Sequence, residues 1–164
     1  MGNIKECPGC KSSFGIFRWR YNCDCCNVVY CDDCLQKPSF YWLTYNPVEI
    51  MDYCPRCWST EIAELVKKYN EALTDSNNIE SFSHRYKGKI GLDSKKEQKN
   101  LKSEWFKDKD DAEKQLKITA SFLDLDIIYN FKVEHRTDNE DSDNGKGTYY
   151  YKVFSASGTA AKKK

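Results

Sequence analysis

The stretch RWRYNCDCCNVVYCDDC, from Arg18 to Cys34, decides the fold of the N-terminal part of this chain. It contains five of the protein's nine cysteines, and the other four form CPGC at 7–10 and CPRC at 54–57. Eight cysteines therefore fall into four CxxC pairs. Each such pair can direct two sulfurs at one metal ion from a single tight turn.

This cysteine pattern favours metal thiolates over disulfides. The number of cysteines is odd, and the sequence MGNIKECPGC lacks the apolar core of a secretion signal. Zinc takes four thiolates in a tetrahedron, so four pairs complete two closed sites. A module of this size buries little apolar area, and we expect two Zn2+ ions to hold it together in a reducing cytoplasm. Cys25 lies outside the pairs and is interpreted as a spectator thiol, with a substitute ligand beside Cys26 as the alternative.

Spacing alone does not determine which pairs share an ion. Sequential pairing gives two zinc ribbons in tandem, and interleaved pairing gives a cross-brace. Only four residues separate Cys26 from Cys31, so the second and third pairs can form a short hairpin whose two ends face different ions. We adopt the interleaved form, which assigns Cys7, Cys10, Cys31 and Cys34 to site 1, and Cys23, Cys26, Cys54 and Cys57 to site 2.

The stretch FGIFRWRYNCDCCNVVYCDDC, residues 14–34, resembles the core of FYVE-type zinc fingers. In that family an aromatic-glycine segment precedes an R-R/K-H-H-C-R-x-C-G motif, a short apolar run and another CxxC. The resemblance covers about residues 4–73. It implies two interleaved zinc ions and, in typical members, binding to phosphatidylinositol 3-phosphate on endosomal membranes. It also implies peripheral membrane contact through Ile16 and Phe17, for which packing on the zinc core is the alternative and favoured reading.

The residues that would bind the lipid phosphate are only partly present. Arg18 and Arg20 stand at basic positions of the motif, where Arg forks suit a phosphomonoester. Tyr21 and Asn22 occupy the two histidine positions, and Asp24 places a negative charge at an arginine position. We therefore expect a non-enzymatic adaptor that contacts a protein partner. The alternatives are a divergent phosphoinositide reader and, because RING domains resemble the same arrangement, a RING-like ubiquitin ligase.

Residues 60–73, TEIAELVKKYNEAL, show the apolar spacing of a helix and include Ile62, Val66 and Tyr69 on one face. Ser59 or Thr60 is expected to cap this helix. The polar segment TDSNN at 74–78 has no apolar period and marks a boundary. The prediction is a finger with its helix at 1–73 and a small domain at 79–160.

The sequence of the second domain contains no cysteine. The order of its expected strands and helix predicts a small α+β fold, in which an antiparallel sheet packs on one main helix. Strands are expected within 81–92, 126–136 and 148–157, with a hairpin turn at Asn144-Gly145 and a fraying tail, GTAAKKK. The main helix, 108–123, has Ala112, Leu116, Ala120 and Leu123 on one face. The order of elements and Gly158-Thr159-Ala160 resemble YbjQ-like bacterial domains, which implies a homo-oligomer formed through the sheet.

Charge and composition limit the other functions. The net charge of +1 gives no global field for nucleic acid, so no nucleic-acid partner is expected. His84 and His135 are the two histidines, and two histidines so far apart in sequence could help build a catalytic zinc site only if the fold happened to bring them together. We interpret them as ordinary strand residues and predict no catalytic residue.

Overall fold

The structure is a computed structural model that describes residues 5–15, 19–48, 52–93, 96–142 and 147–164. The chain divides into two compact units. The first comprises Met1–Phe40 and Asn46–Tyr69, and the second comprises Tyr41–Tyr45 and Asn70–Lys164. Both units differ from the expected ranges, because residues 41–45 join the second unit and the division after Tyr69 falls inside a helix that extends to Asp75.

The first unit is organised around a short antiparallel hairpin. Strand β1 (Arg20–Asn22) pairs with β2 (Val29–Cys31), with Tyr21 opposite Tyr30. The turn between them is closed by a hydrogen bond from Cys23 N to Val28 O at 2.9 Å. A 3-10 turn, Asp32–Cys34, follows directly. The hairpin thus carries the second cysteine pair in its turn and the third pair at its end.

The helix of the first unit begins earlier than the apolar period predicts. It starts as α1 (Pro55–Cys57), continues through a π-helical turn (Trp58–Ile62) and becomes α2 (Ala63–Asp75). Pro55 suits the first helical position, and the Cys54 sulfur accepts the Cys57 N–H as a cap. The prediction that Ser59 or Thr60 caps the helix is wrong. Both lie inside it, where their hydroxyls donate to backbone carbonyls of the preceding turn.

The second unit contains a four-stranded sheet in the order β3-β5-β6-β4. Its strands are β3 (Glu80–Ser83), β4 (Lys99–Lys102), β5 (Ile127–Asp141) and β6 (Thr148–Ala161). The small α+β class is confirmed. The sheet is antiparallel except that β3 runs parallel to β5. The chain reaches β5 only after a long crossover through β4 and the main helix, which is the kind of connection that a parallel pair needs.

The main helix, α3 (Lys109–Phe122), provides the apolar core of this unit. The Asp108 side chain caps it by accepting the Asp110 N–H at 2.8 Å. Its predicted apolar face is present, since Ala112, Leu116 and Ala120 are fully buried. That face packs against small and branched residues of the sheet, among them Ile128, Ala156 and Ala160.

Buried polar groups of α3 hold the segment Tyr41–Tyr45. Gln115 is fully buried; its amide nitrogen donates to Tyr41 O at 3.2 Å and Leu43 O at 3.3 Å. Its amide oxygen accepts the Glu104 N–H at 2.8 Å. Thr119, also fully buried, accepts the Thr44 N–H at 2.9 Å. The backbone of this segment is therefore paired inside the unit, which satisfies groups that would otherwise be costly to bury.

The predicted fraying of the tail is wrong. Strand β6 continues to Ala161, and both Ala160 and Ala161 are buried. Lys162 then forms an ion pair with Asp126 at 2.8 Å, and Lys163 forms one with Glu80 at 2.6 Å. The small residues at the end of β6 pair with β5 and are buried, so apolar burial and β pairing order the tail.

The Asn144-Gly145 turn lies outside the described residues. Within the described ranges, no helix is long and apolar enough to cross a membrane.

Candidate metal centre

The structure brings the eight paired cysteines together as two groups of four. The first group is Cys7, Cys10, Cys31 and Cys34, and the second is Cys23, Cys26, Cys54 and Cys57. In each group all four sulfurs lie within 4.8 Å of one another. The first and third pairs therefore meet in one place and the second and fourth pairs in another, which is the interleaved cross-brace.

The sulfur separations fit a tetrahedral zinc site. Zn–S bonds of about 2.3 Å at tetrahedral angles place the sulfurs about 3.8 Å apart. The sulfurs of Cys10 and Cys31 are 3.7 Å apart, and those of Cys26 and Cys54 are 3.8 Å apart. Four thiolates without an open position make a structural site, so each ion would hold two distant parts of the chain together.

Backbone N–H groups point at the sulfurs and favour their ionised form. Cys31 N lies 3.4 Å from the Cys7 sulfur, and Cys54 N lies 3.3 Å from the Cys23 sulfur. Burial opposes ionisation of Cys7 and Cys23, but the backbone donors outweigh it and lower the pKa of both thiols. In each group the turn of one pair thus supplies preformed donors for a sulfur of the other pair.

The thiols of one group cannot all ionise without a cation. Hydrogen bonds from the side chain and backbone of Ser12 lower the pKa of Cys10 to about 6. Burial and hydrogen bonding to the neighbouring thiols raise the pKa of Cys34 to about 12. Burial and the neighbouring thiols likewise raise the pKa of Cys57. A divalent cation removes this conflict, because its charge takes the place of the retained protons.

Tyr30 supports site 2 from outside its four ligands. Burial and a hydrogen bond from its hydroxyl to Cys54 raise the pKa of Tyr30 to about 12. Burial opposes ionisation of Cys54, but the Cys57 N–H and the Tyr30 hydroxyl lower the pKa of Cys54 to about 6. The sequence analysis did not identify Tyr30. Tyr30 directly precedes the ligand Cys31 in an apolar run, but this position is only weak evidence for a role at the metal site. The contact with Cys54 depends on tertiary structure.

Cys25 lies beside site 2 but outside its group of four. Its side chain is exposed and hydrogen-bonds to Cys57. The pair Cys23 and Cys26 supplies the two sulfurs of this turn to the group. A spectator thiol therefore remains our interpretation of Cys25.

The residues at the lipid-binding positions are engaged in local contacts. The Arg20 guanidinium lies 5.1 Å from the centre of the Phe14 ring. The Asn22 amide donates to the Asn27 side chain at 2.9 Å. The Asp24 carboxylate accepts the Asp52 N–H at 2.8 Å, and Asp24 N donates to Asp52 O at 2.9 Å. Three predicted contact residues, Ile16, Phe17 and Arg18, lie outside the described residues.

The two histidines do not enter either cysteine group. His84 and His135 are both exposed. His84 lies just after β3 with its ring near Phe131 O, and His135 lies in β5 with its ring against Phe154. Apart from the cysteines, the described residues contain no cluster that would bring either histidine to a metal.

Comparison with known families identifies the metal-binding part of the chain. Residues 2–63 match the family model described as FYVE zinc finger. No curated protein and no solved structure matches the chain, so the resemblance of the second unit to YbjQ-like domains is unsupported. The match ends within the helix that follows Cys57, and both cysteine groups lie inside it. The N-terminal part of this chain is therefore similar to FYVE zinc fingers and brings together two cysteine groups positioned to bind two zinc ions.

Proposed function

We propose that this protein is a non-enzymatic, cytoplasmic adaptor whose zinc finger contacts another protein and does not read phosphatidylinositol 3-phosphate. The carboxylate of Asp24 is the observation that carries this proposal. It stands at a position where the family motif has an arginine, and its hydrogen bond with Asp52 holds it in the turn between Cys23 and Cys26. A fixed negative charge at this place opposes a phosphate electrostatically.

The neighbouring residues support the same reading. A phosphomonoester is best bound by planar Arg forks and by further N–H donors. The described basic residue Arg20 stacks on Phe14, and Asn22 uses its amide on Asn27. Tyr21 offers a hydroxyl but no positive charge. The residues described at these positions therefore do not converge as cations that would discriminate a phosphorylated headgroup from an ordinary anionic surface.

The finger presents apolar side chains that suit a protein partner. Trp19 is 72% exposed, and Tyr21 and Val28 are each 41% exposed. Tyr21 lies in β1, and Trp19 and Val28 directly precede the two strands of the hairpin. Exposed tryptophan and tyrosine are the residues that most often carry binding energy at protein interfaces. Zinc in the two closed sites would supply rigidity to this surface and no reaction chemistry.

Liposome co-sedimentation of the full zinc-loaded chain tests the lipid part of the proposal. Vesicles of phosphatidylcholine and phosphatidylserine are compared with and without phosphatidylinositol 3-phosphate. We expect no selective sedimentation, and only weak, salt-sensitive binding to both vesicle types. Selective binding that is lost in the Arg18→Gln and Arg20→Gln variants, but kept in Arg56→Gln, would overturn the proposal and establish a divergent lipid reader.

Two substitutions of Asp24 separate its charge from its structural hydrogen bond. Asp24→Asn keeps an oxygen acceptor for the Asp52 N–H and removes the charge. Asp24→Arg removes the acceptor and supplies the missing cation. If the charge alone prevents lipid binding, Asp24→Asn gains some affinity for the phosphoinositide vesicles and Asp24→Arg gains more.

The protein-contact part requires a partner that depends on the exposed hairpin. Affinity capture with the zinc-loaded chain is repeated with Trp19→Ala and with Arg56→Ala as the matched surface control. We expect a partner that is retained by the control and lost with Trp19→Ala, and its binding should then be reproduced with purified proteins. A partner set that does not change with Trp19→Ala would refute this surface.

A further inference from the structure

Strands β5 and β6 extend as a two-stranded ribbon beyond the rest of the sheet. Strand β3 pairs with β5 only between Ile127 and Phe131, and β4 pairs with β6 only between Ser157 and Ala160. The chain after β4 continues beside β6 as far as a bridge between Phe106 and Phe154. Within the described residues, nothing pairs with the outer edge of β6 beyond that bridge.

The hydrogen bonds of the bridge show which groups of the free edge are unpaired. Phe154 N donates to Phe106 O at 2.7 Å, and Phe106 N donates to Phe154 O at 2.9 Å. Backbone direction alternates along a strand. The N–H and C=O groups of Lys152, Tyr150 and Thr148 therefore point outward on the same edge as those of Phe154. Such a row of unpaired groups is a template for another strand.

Two of the three tyrosines of this edge are largely exposed, whereas the third, Tyr151, has the Lys107 ammonium 4.3 Å from the centre of its ring. Tyr149 is 69% exposed and Tyr150 is 68% exposed, the two on opposite faces of the ribbon. Natural edge strands are usually protected by charges, prolines or bulges. The segment Thr148–Val153 has a single charge, Lys152, and no proline. Its composition is that of a strand that pairs.

We propose that this edge pairs antiparallel with the same edge of a second copy of the chain, forming a two-fold symmetric dimer. In the register centred on Tyr150, Tyr150 lies opposite its counterpart and Lys152 lies opposite Thr148 of the other copy. Each directly opposed pair of this type exchanges two backbone hydrogen bonds, which gives roughly six across the axis. Tyr149 then lies opposite Tyr151 of the other copy, an aromatic cross-strand pair on each side of the axis.

The charges of the ribbon complement one another in this register. Thr148 pairs with Asp141 inside the ribbon, and its hydroxyl donates to the Asp141 carboxylate at 3.5 Å. Lys152 of the second copy lies on the other side of Thr148, two strand spacings or about 10 Å from Asp141. The long side chain of Lys152 can reach across the small Thr148 to the Asp141 carboxylate. Because the dimer is two-fold symmetric, this lysine–aspartate pair occurs twice.

The free edge also has the length that this register needs. Gly147 of the second copy would lie opposite Val153, one residue short of the Phe106–Phe154 bridge. A shift that moved the second copy further along would place it against Phe106. The bridge therefore excludes registers in which the axis lies beyond Tyr150 toward Phe154.

Sedimentation velocity of the full zinc-loaded chain tests this dimer. We expect a concentration-dependent dimer for the wild type. In Tyr150→Asp two like charges face each other at the axis, and the dimer dissociation constant should rise at least about tenfold. Asn139→Asp is the matched control, because Asn139 pairs with Tyr150 on the same row of the ribbon but lies in β5, away from the edge. This control should leave the dimer unchanged.

Charge exchange provides a second test that keeps the tyrosines. Lys152→Asp should weaken the dimer, and the double variant Lys152→Asp with Asp141→Lys should recover most of the lost affinity. A wild-type chain that remains monomeric up to roughly 100 μM would have a dimer dissociation constant above that concentration, which is weak for a specific complex. This result would overturn the proposal and leave the edge to a different strand. A dimer that Tyr150→Asp leaves intact would place the interface elsewhere.

Discussion

Replacement of Tyr30 by phenylalanine should weaken one of the two zinc sites and leave the other unchanged. The Cys54 sulfur of site 2 accepts one hydrogen bond from the Tyr30 hydroxyl, outside the group of four ligands, and one from the N–H of its fellow ligand Cys57 at 3.5 Å. Tyr30→Phe removes the first donor and keeps the ring. A hydrogen bond to a charged group contributes about 1.5–3 kcal/mol.

That free energy corresponds to a loss of about ten- to a hundredfold in zinc affinity at site 2, since about 1.4 kcal/mol is one factor of ten. Losses of about this size are typical when a group that supports a metal ligand is removed. Competition with a chromophoric chelator at pH 7 measures the effect. We expect the wild type to release both zinc ions at similar chelator concentrations. Tyr30→Phe should release one of the two ions at a clearly lower chelator concentration.

The same variant should change how zinc retention depends on pH. Without an ion, the pKa of Cys54 is lowered to about 6, so its thiolate is available for zinc above this pH, and protons compete increasingly with zinc for it as the pH falls. Without the Tyr30 donor the pKa of Cys54 rises, so the loss of the site 2 ion should begin at a higher pH. Tyr21→Phe, the exposed cross-strand neighbour, is the control. Equal weakening of both sites, or an equal effect of Tyr21→Phe, would refute the role of Tyr30.

Three further predictions concern single residues. Gln115→Leu should lower the free energy of unfolding of the second unit by about 3 kcal/mol, because it leaves one buried and two partly buried backbone groups without this partner; chemical denaturation measures this, and Gln98→Leu, which loses one exposed hydrogen bond from Tyr129, should cost about 1 kcal/mol or less. Cys25→Ser should keep two zinc ions per chain in native mass spectrometry, and Cys26→Ser should keep one; loss of an ion from Cys25→Ser would make Cys25 a ligand. Gly9→Ala should reduce zinc affinity at site 1 only, because its added Cβ would lie 2.9 Å from the Cys34 sulfur; an unchanged chelator titration would contradict this.

The metal centre could be predicted from the sequence because its information is local. Two sulfurs separated by two residues reach one ion from one turn, wherever the rest of the chain goes. The interleaving also had a local basis, since the four residues between Cys26 and Cys31 allow only a short hairpin. The face of α3 followed in the same way from helical spacing. These features depend on neighbours in sequence, and the structure contains each of them.

The features that the sequence did not reveal depend on distant contacts. The Tyr30 hydroxyl meets Cys54 only after the cross-brace has formed, and no pattern distinguishes Tyr30 from other strand tyrosines. Nothing in the helical pattern singles out Gln115. Its role in pairing the carbonyls of Tyr41 and Leu43 is visible only in the folded structure, because those residues are distant in sequence. The parallel pairing of β3 with β5 depends on the path of an entire crossover. The start of the helix at Pro55 was missed because CPRC was interpreted only as a metal-binding turn.

The assignment of Tyr41–Tyr45 to the second unit has a consequence for how this protein can be divided. These residues lie between Cys34 and Cys54, two ligands of the finger, yet α3 holds them through Gln115 and Thr119. Neither unit is therefore an uninterrupted stretch of the gene. A truncation after Tyr69 would give the finger five residues that belong to the other core and would remove from that core the segment that pairs with its buried amide. An excised finger would therefore carry, between Cys34 and Cys54, a segment whose backbone partners lie in the other unit.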